Sequence, residues 1–292
     1  MRDRSELAAF VQTVDRGSQS AAARALGITP AMVGRYIQAL ETRIGARLLN
    51  RTTQKQSLTE TGQVFYQRIA AILDQLEDAE REASEQAPEP RGLLRVGGPM
   101  TFGWRHLAPA VSAFCEANPK LRVELTLDDR TVDLIDGGYD VAVRIGALKD
   151  SSLIVRRLAS CPMLICAAPA YIGRFGVPRR PEDLREHRCL LYSYDRSGDH
   201  WRFESGHEVQ VSGHISANNG DALLVAALDG QGIILQPGFI VGDALRAGLL
   251  VRLLVDHPIR SIDVHAVFPS ARHLSLKVRR FVDFLATRFR EL

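Results

Sequence analysis

The stretch from Arg16 to Lys55 concentrates positive charge. It holds seven basic residues and a single acid, Glu41. From Asp74 to Glu89 the balance reverses, with seven acids and one arginine. The net charge of the whole chain is only +3, so the uneven distribution carries the information. A local basic surface attracts phosphate groups, and this stretch is therefore predicted to face nucleic acid. Its basic residues are Arg16, Arg24, Arg35, Arg43, Arg47, Arg51 and Lys55.

Cysteine chemistry is a second possibility. The four cysteines are Cys115, Cys161, Cys166 and Cys189. They form no Cys-x-x-Cys pair and have no histidine at metal-ligand spacing, so neither a disulfide framework nor a zinc site is indicated. Free buried thiols are the expected state, and we expect no metal or cofactor. Cys161 and Cys166 are the pair for which thiol oxidation stays open as an input signal.

The motifs of common enzyme classes do not occur in the sequence. It has no Gly-x-Ser-x-Gly elbow, no phosphate loop, no dinucleotide glycine fingerprint and no His-Glu-x-x-His. It also has no run of about 18 apolar residues, and its first ten residues include four charged ones where a secretory signal would be apolar. We therefore expect a cytoplasmic protein that is not an enzyme. A secreted solute-binding protein would fit residues 92–292 but not the first 60.

Three helices are predicted to carry the basic stretch. Residues 5–16 place apolar side chains at helical spacing. Ser18 is a residue type preferred as helix N-cap, so a second helix is predicted to begin there. Gly27 is predicted to end this helix in the left-handed conformation. Thr29 caps the next helix, with Pro30 in its first turn, and this helix ends before Gly45. Two helices joined by about three residues around a glycine are typical of a helix-turn-helix. The inward stripe of the third helix is Val33, Ile37, Leu40 and Ile44.

Residues 47–59 predict a two-stranded wing with Arg51 to Gln56 at its tip. A long helix follows from Glu60 to about Glu85, and its apolar residues alternate at spacings of four and three. This heptad seam favours a coiled-coil dimer, although packing on the chain's own core would give the same spacing. The seam consists of Phe65, Ile69, Ile72, Leu76, Ala79 and Ala83.

The character of the chain changes after the two prolines of residues 87–92, which indicate a linker. Strand-like segments at 93–98, 121–127 and 140–146 alternate with helical ones, and a second such series begins at Met163. This alternation is typical of a parallel α/β unit.

The segment SQSAAARALGITPAMVGRYIQALETRIGARLLNRTTQKQSLTETG (18–62) resembles the winged helix-turn-helix of LysR-type transcriptional regulators. FCEANPKLRVEL (114–125), DLIDGGYDVAVRIGALKDSSL (133–153), NNGDALLVAALDGQGI (218–233) and FVDFLA (281–286) resemble the effector domain of the same family. The resemblance covers essentially the whole chain. One departure is Gly34, where relatives usually have serine.

The resemblance implies an all-α winged helix-turn-helix at 1–59, a linker and dimerisation helix at 60–91, and a two-lobed α/β effector domain at 92–292. This domain resembles periplasmic binding proteins, with lobe 1 at about 92–161 and 268–292, and lobe 2 at about 162–267. Two crossing strands near 161–168 and 262–268 would join the lobes. The implied partners are operator DNA, a small-molecule inducer and a second copy of the chain, in homodimers that often pair into homotetramers.

The candidate DNA contacts follow from the helix faces. The start of the second helix offers hydroxyls and backbone N–H groups to a phosphate. Arg35 and Gln38 have the donor geometry for guanine and adenine edges, although Arg35 could equally bind a phosphate. The wing would lie over the adjacent minor groove. The full predicted set is Ser18, Gln19, Ser20, Thr29, Pro30, Ala31, Met32, Gly34, Arg35, Gln38, Arg51, Thr52, Thr53 and Lys55.

The candidate effector site follows a strand of the first α/β series, where open sheets bind ligands. The hydroxyl of Thr101 and nearby N–H groups suit a carboxylate. By the resemblance, Arg144 and the Asn218–Asn219 turn complete a polar cleft, although Arg144 could instead pair with Asp140 or Asp150. We therefore expect an organic anion as inducer. The predicted site residues are Pro99, Met100, Thr101, Phe102, Arg144, Ile145, Asn218 and Asn219.

Overall fold

The computed structural model describes residues 2–51, 56–82, 89–130, 134, 137–148, 153–194, 199–269 and 274–290. The chain divides into two compact units, one mainly of Met1–Gly92 and the other of Leu93–Ser270 with Lys277–Leu292. The wing residues Thr52, Thr53 and Lys55, and Ala83 of the predicted seam, lie outside the described residues. None of the helices described is long and apolar enough to cross a membrane.

The first unit places helices around a small two-stranded sheet. The strands β1 and β2 pair antiparallel, with Leu49 opposite Leu58. In chain order the elements are α1 (Arg2–Arg16), α2 (Gln19–Leu26), α3 (Pro30–Ile44), β1 (Leu49–Arg51), β2 (Gln56–Leu58) and α4 (Glu60–Glu82).

The predicted helix boundaries are confirmed by the caps. Ser18 and Thr29 adopt extended backbone and accept hydrogen bonds from N–H groups in the first turns of α2 and α3. Gly27 and Gly45 end these helices at φ values of 66° and 76°, where a side chain would be strained. These caps and stops therefore determine where α2 ends and where α3 begins, and with this which face of α3 is exposed. The core beneath includes Phe10, Ala22, Val33, Ile37, Leu40 and Leu48.

The predicted dimer seam on α4 separates into two parts. Phe65 packs on Phe10 with ring centroids 5.8 Å apart, and Ile69 packs against the same core. Phe65 and Ile69 are thus partly buried within their own chain, where the first turns of α4 cover α1. Ile72 and Leu76 are 53% and 42% exposed. This second part leaves more apolar surface exposed in the chain as described, and the intermolecular seam stays a prediction.

The second unit is α/β, as predicted. Its elements begin with β3 (Gly92–Gly98), α5 (Met100–Phe102), a π-helical turn (Gly103–Leu107), α6 (Ala108–Ala117), β4 (Leu121–Leu127), β5 (Val141–Ile145) and β6 (Leu153–Ala167). They continue with α7 (Pro169–Phe175), a 3-10 helix (Pro181–Glu186), β7 (Cys189–Tyr192), β8 (His200–Arg202), β9 (Glu208–Gln210) and β10 (Ser216–Ala217). The unit closes with α8 (Gly220–Leu228), β11 (Ile233–Pro237), α9 (Gly238–Arg246), β12 (Val251–Arg252), β13 (Ile259–Pro269) and α10 (Leu276–Arg288).

A nine-stranded sheet runs through both lobes of this unit. Its order is β10-β7-β11-β6-β13-β5-β3-β4, and β12 also pairs with β6. In lobe 1 β3 pairs parallel with β5, and in lobe 2 β7 pairs parallel with β11 and β10. The long strands β6 and β13 pair antiparallel and belong to both lobes. These are the two crossing strands that the resemblance implies, and the two-lobed fold class is confirmed.

The connection between the lobes lies near the middle of β6. Ser160 is opposite Asp263 on β13, whereas Leu164 is opposite Gln236 on β11, so β6 passes from one lobe to the other over a few residues. The register of β6 with β13 is irregular between Ile259 and Ile262. Such bulges bend a strand locally, which suits a joint between lobes. The α/β connections place α5 on one lobe and α8 on the other, facing the same cleft.

Candidate DNA-binding face and ligand cleft

The exposed face of α3 carries the predicted DNA-contacting residues. Val33, Ile37 and Leu40 are fully buried on the opposite side of the helix. Ala31, Arg35 and Gln38 are exposed, together with Ser20, Thr29 and Pro30, while Ser18, Gln19, Met32 and Gly34 are partly exposed. A helix face of this kind, with small residues at the N-terminal end and two long donors beyond them, fits the major groove.

The two capping hydroxyls keep a donor for DNA. Ser18 Oγ accepts from the N–H of Ala21 at 3.2 Å, and Thr29 Oγ1 accepts from the N–H of Met32 at 3.3 Å. A hydroxyl that accepts one hydrogen bond still has its own proton to donate. Both side chains can therefore cap their helices and contact a phosphate at the same time.

Gly34 and Gln19 lie against each other between α3 and α2. A Cβ atom placed on Gly34 would be 3.3 Å from Oε1 of Gln19, which is tight but involves the end of a flexible side chain. Glycine in a helix interior costs about 0.5–1 kcal/mol relative to alanine. The absence of a side chain at Gly34 therefore leaves room for the Gln19 amide beside the exposed face of α3.

Three donors of lobe 1 converge on one carboxylate of lobe 2. Thr101 Oγ1 donates to Asp221 Oδ2 at 2.6 Å, and Trp104 Nε1 donates to the same oxygen at 3.3 Å. Arg105 Nη2 donates to Asp221 Oδ1 at 3.1 Å, and its other amino group lies 3.3 Å from Asp243. We call Thr101, Trp104, Arg105 and Asp221 the Asp221 cluster.

The Asp221 cluster is partly covered. The side chains of Arg105 and Asp221 are 17% and 29% exposed. The Arg105 guanidinium lies over the Trp104 ring, 4.6 Å from its centroid, and its Nε is buried without a hydrogen bond. Partial removal from water strengthens the interaction of these charges relative to an exposed ion pair. Thr101, which the sequence predicted to hold a ligand, thus holds a carboxylate of its own chain.

A second carboxylate bridges the lobes nearby. Asp129 accepts from the backbone N–H of Met100 at 2.8 Å and from Asn219 Nδ2 at 3.0 Å. The pKa of Tyr192 is raised to about 12 by burial and by the charge of Asp129, so its hydroxyl keeps its proton. The structure therefore brings the predicted Met100 and Asn219 to one cleft.

The remaining predicted ligand residues divide between cleft and interior. Asn218 Nδ2 donates to the hydroxyl of Tyr194 at 2.9 Å, at the same edge of lobe 2. Phe102 is a correction, because its ring is 1% exposed and packs on Phe239 and Phe289 at 5.4 Å, which leaves little surface for a ligand. Arg144 is the second-last residue of β5 and lies opposite His265. Ile145 on the same strand and Pro99 before α5 stay predictions.

Sequence comparison gives matches over both units. A profile described as "Bacterial regulatory helix-turn-helix protein, lysR family" matches residues 5–63, and one described as "LysR substrate binding domain" matches residues 87–290. The chain belongs to the LysR family of transcriptional regulators. It is therefore a DNA-binding regulator with an effector-binding domain and not an enzyme.

Relatives of this LysR-type regulator include proteins named for opposite actions. The chain is 36% identical to the HTH-type transcriptional activator TtdR of Escherichia coli (strain UTI89 / UPEC), over 96% of this chain and 92% of that protein. It is 35% identical to an HTH-type transcriptional repressor of Pseudomonas aeruginosa (strain UCBPP-PA14), over 98% and 92%. Among solved structures, CrgA of Neisseria meningitidis is 33% identical, with a TM-score of 0.64 and 98% of each chain covered.

Several residues of the regulator's cleft were not found from the sequence. Trp104 and Arg105 lie just after the predicted Thr101, and Asp221 lies just after the predicted Asn219. Their pairing spans more than 100 residues, so no local pattern shows it. The available signal was an arginine, Arg105, four residues after the candidate donor Thr101 and two residues after Gly103.

The geometry of the cysteines argues against an internal disulfide as input signal. Cys161 and Cys166 are both on β6, five residues apart, which is about 16 Å along a strand. A disulfide requires Cα atoms within roughly 7 Å. Burial raises the pKa of Cys161, and it raises that of Cys166 to about 12, so neither thiol is activated as a nucleophile.

His106 is a half-buried imidazole next to the Asp221 cluster. Its ring packs on Phe102 and Phe239 at centroid distances of 5.0 and 5.9 Å, and its Nε2 is buried without a hydrogen bond. Burial and the neighbouring Arg105 lower its pKa, while Asp243 acts in the opposite direction. The neutral form is thus the one that the fold favours.

Replacement of His106 should therefore make the regulator less sensitive to acid. Below the ordinary histidine pKa of 6.5 the unfolded chain binds a proton that the folded chain resists, so the free energy of unfolding falls as pH falls. Between pH 7.5 and 5.5, the free energy of unfolding should fall less for His106→Phe than for wild type. The difference between the two falls should be less than about 1 kcal/mol, because the site is half-buried. Urea unfolding at several pH values measures this. The control His214→Gln changes an exposed histidine and should keep the wild-type slope, and an equal slope in His106→Phe would contradict the assignment.

Proposed function

We propose that this LysR-type regulator acts in the cytoplasm as a dimer, reads operator DNA with α3, and responds to a small organic anion in the cleft between its lobes. The convergence of Thr101, Trp104 and Arg105 on a carboxylate carries the part of this proposal that concerns the effector. Such a set of donors is complementary to a carboxylate whatever molecule supplies it. The Asn219 and Tyr194 side of the cleft supplies further polar contacts.

The DNA contacts are divided between phosphates and bases. Ser18, Gln19 and Ser20 are at the start of α2, where N–H groups point out of the helix and favour a phosphate. Arg35 and Gln38 extend from the exposed face of α3 toward base edges. Arg51 on β1 begins the wing, and we assign its partners Thr52, Thr53 and Lys55 to the minor groove from sequence alone.

The dimer contact is assigned to the outer part of α4. Ile72 and Leu76 are one helical turn apart, and both are exposed within the single chain. Apolar side chains at this spacing are buried when two such helices pair. A homodimer is thus supported by these two residues, and a further pairing into tetramers rests on the family alone.

Loss of the Arg35 side chain should weaken specific DNA binding. Arg35→Ala should cost roughly 1–3 kcal/mol on the operator if the guanidinium binds a guanine edge. The DNA beside the regulator's own gene is the fragment to use, with fluorescence anisotropy at several salt concentrations. Arg185→Ala removes an exposed arginine of the effector unit, outside the basic stretch from Arg16 to Lys55, and serves as control. An equal loss on unrelated DNA would assign Arg35 to a phosphate instead.

A charge at Ile72 should abolish dimerisation and DNA binding together. Ile72→Asp would place a carboxylate in the apolar contact between two α4 helices, which is costly without a partner. Gln63 is nine residues earlier and hence on the opposite side of the helix, so Gln63→Asp is the matched control. Analytical ultracentrifugation of both variants gives the test. A dimer of unchanged affinity in Ile72→Asp would refute the seam.

The effector is expected to require a negative charge. Titration calorimetry of the wild-type regulator with acetate, succinate and benzoate should show binding of at least one, since the donors of the cleft match a carboxylate. Their methyl esters keep most of the shape but lose the charge, and they should bind at least tenfold more weakly. Equal affinity for acid and ester would end the proposal of an anionic effector while leaving DNA binding untouched.

A further inference from the structure

The Asp221 carboxylate occupies the donors that a carboxylate ligand would need. Both of its oxygens are engaged, one by Thr101 and Trp104 and the other by Arg105. Charge-assisted hydrogen bonds of this number and type make up a complete carboxylate-binding subsite. The ligand of that subsite in this structure is a side chain of α8.

We infer that Thr101, Trp104 and Arg105 form an anion subsite for a free carboxylate, and that Asp221 is its built-in competitor. The inference rests on the proposed function and makes it more specific. A free carboxylate binds there by taking the three donors from Asp221. This exchange breaks the contacts that Asp221 makes between lobe 2 and lobe 1.

The position of the cluster permits such an exchange. Asp221 is 29% exposed and Trp104 is 53% exposed, so a ligand can reach the donors from solvent. The backbone of Asp221 stays anchored at the helix start when its carboxylate is released, because its N–H and that of Ala222 are held by Asn219 Oδ1 at 3.0 and 3.2 Å. Asp243 keeps one contact to Arg105 from α9. The released carboxylate therefore stays near the donors and would repel the incoming anion, which sets a threshold for effector concentration.

The strength of the competition determines the apparent affinity. When the subsite is open only for a fraction of the time, the apparent dissociation constant rises in proportion to the inverse of that fraction. Removal of the competing charge should lower this constant. Asparagine retains the shape of Asp221 but makes weaker hydrogen bonds to Thr101 and Arg105, since it carries no charge.

The test compares full-length wild type with Asp221→Asn in titrations with acetate, succinate and benzoate at constant ionic strength. The variant should bind at least one of these about tenfold or more tightly than wild type. Asp221→Glu restores the charge and should return the affinity toward the wild-type value. Asp229→Asn removes a carboxylate at the other end of α8 and should change the affinity less than about threefold.

A second variant locates the bound anion. Adding Thr101→Val to Asp221→Asn removes one donor of the subsite, and it should reverse the gain by about fivefold or more. Thermal unfolding of each variant confirms that the titrated protein is folded. If Asp221→Asn does not fold, the same comparison is made with Asp221→Ser, which is also uncharged.

Three outcomes would overturn the inference. They are unchanged or weaker binding by Asp221→Asn, an equal gain in Asp229→Asn, and no reversal on Thr101→Val. Binding of a probe by wild type without a gain in Asp221→Asn would remove the inference but keep the anionic effector. The absence of any probe binding to either protein would remove both, while the DNA test of Arg35 decides the regulator function separately.

Discussion

The antiparallel pairing of β6 with β13 is the constraint on which the effector unit depends. These strands belong to both lobes, so a single sheet continues through the joint. Each lobe adds parallel strands on its own side and then helices that begin at the carboxyl ends of those strands. Because the carboxyl ends of strands in an open sheet leave a crevice, α5 and α8 start at the same cleft from opposite lobes. Thr101 and Asp221 meet there although 120 residues separate them.

In this arrangement, charged and polar side chains make the contacts that align the two lobes at the cleft. Arg105 lies between Asp221 of α8 and Asp243 of α9, and Asp129 of lobe 1 holds Asn219 of lobe 2. The apolar part of the contact, where His106 packs against Phe239, does not determine how the lobes are aligned, because dispersion is not directional. The polar contacts fix which parts of the lobes are opposite each other.

Local signals and long-range contacts differ in how far the sequence could predict them. The caps Ser18 and Thr29 and the stops Gly27 and Gly45 follow from backbone preferences of single residues, and all four are confirmed. The heptad of α4 predicted a buried face but not that Phe65 would pack on Phe10 of its own chain, since spacing reports that a face is buried and not what buries it. The occupant of Thr101 could not be predicted either, because an Asp–Arg pair across lobes leaves no periodic pattern. Arg105 was visible only as one arginine among many.

The exposed face of α3 shows how one missing side chain affects its neighbours. Gly34 costs α3 some helix stability, yet the site it vacates is next to the amide of Gln19. A residue with a Cβ there must move Gln19 by a few tenths of an ångström, and a serine hydroxyl would compete with the amide for the same partners. With glycine, the amide is the group that α2 presents at this point of the α3 surface. Gly34 thus leaves this point of the α3 surface to the Gln19 amide, while Ser18 and Thr29 cap the two helices.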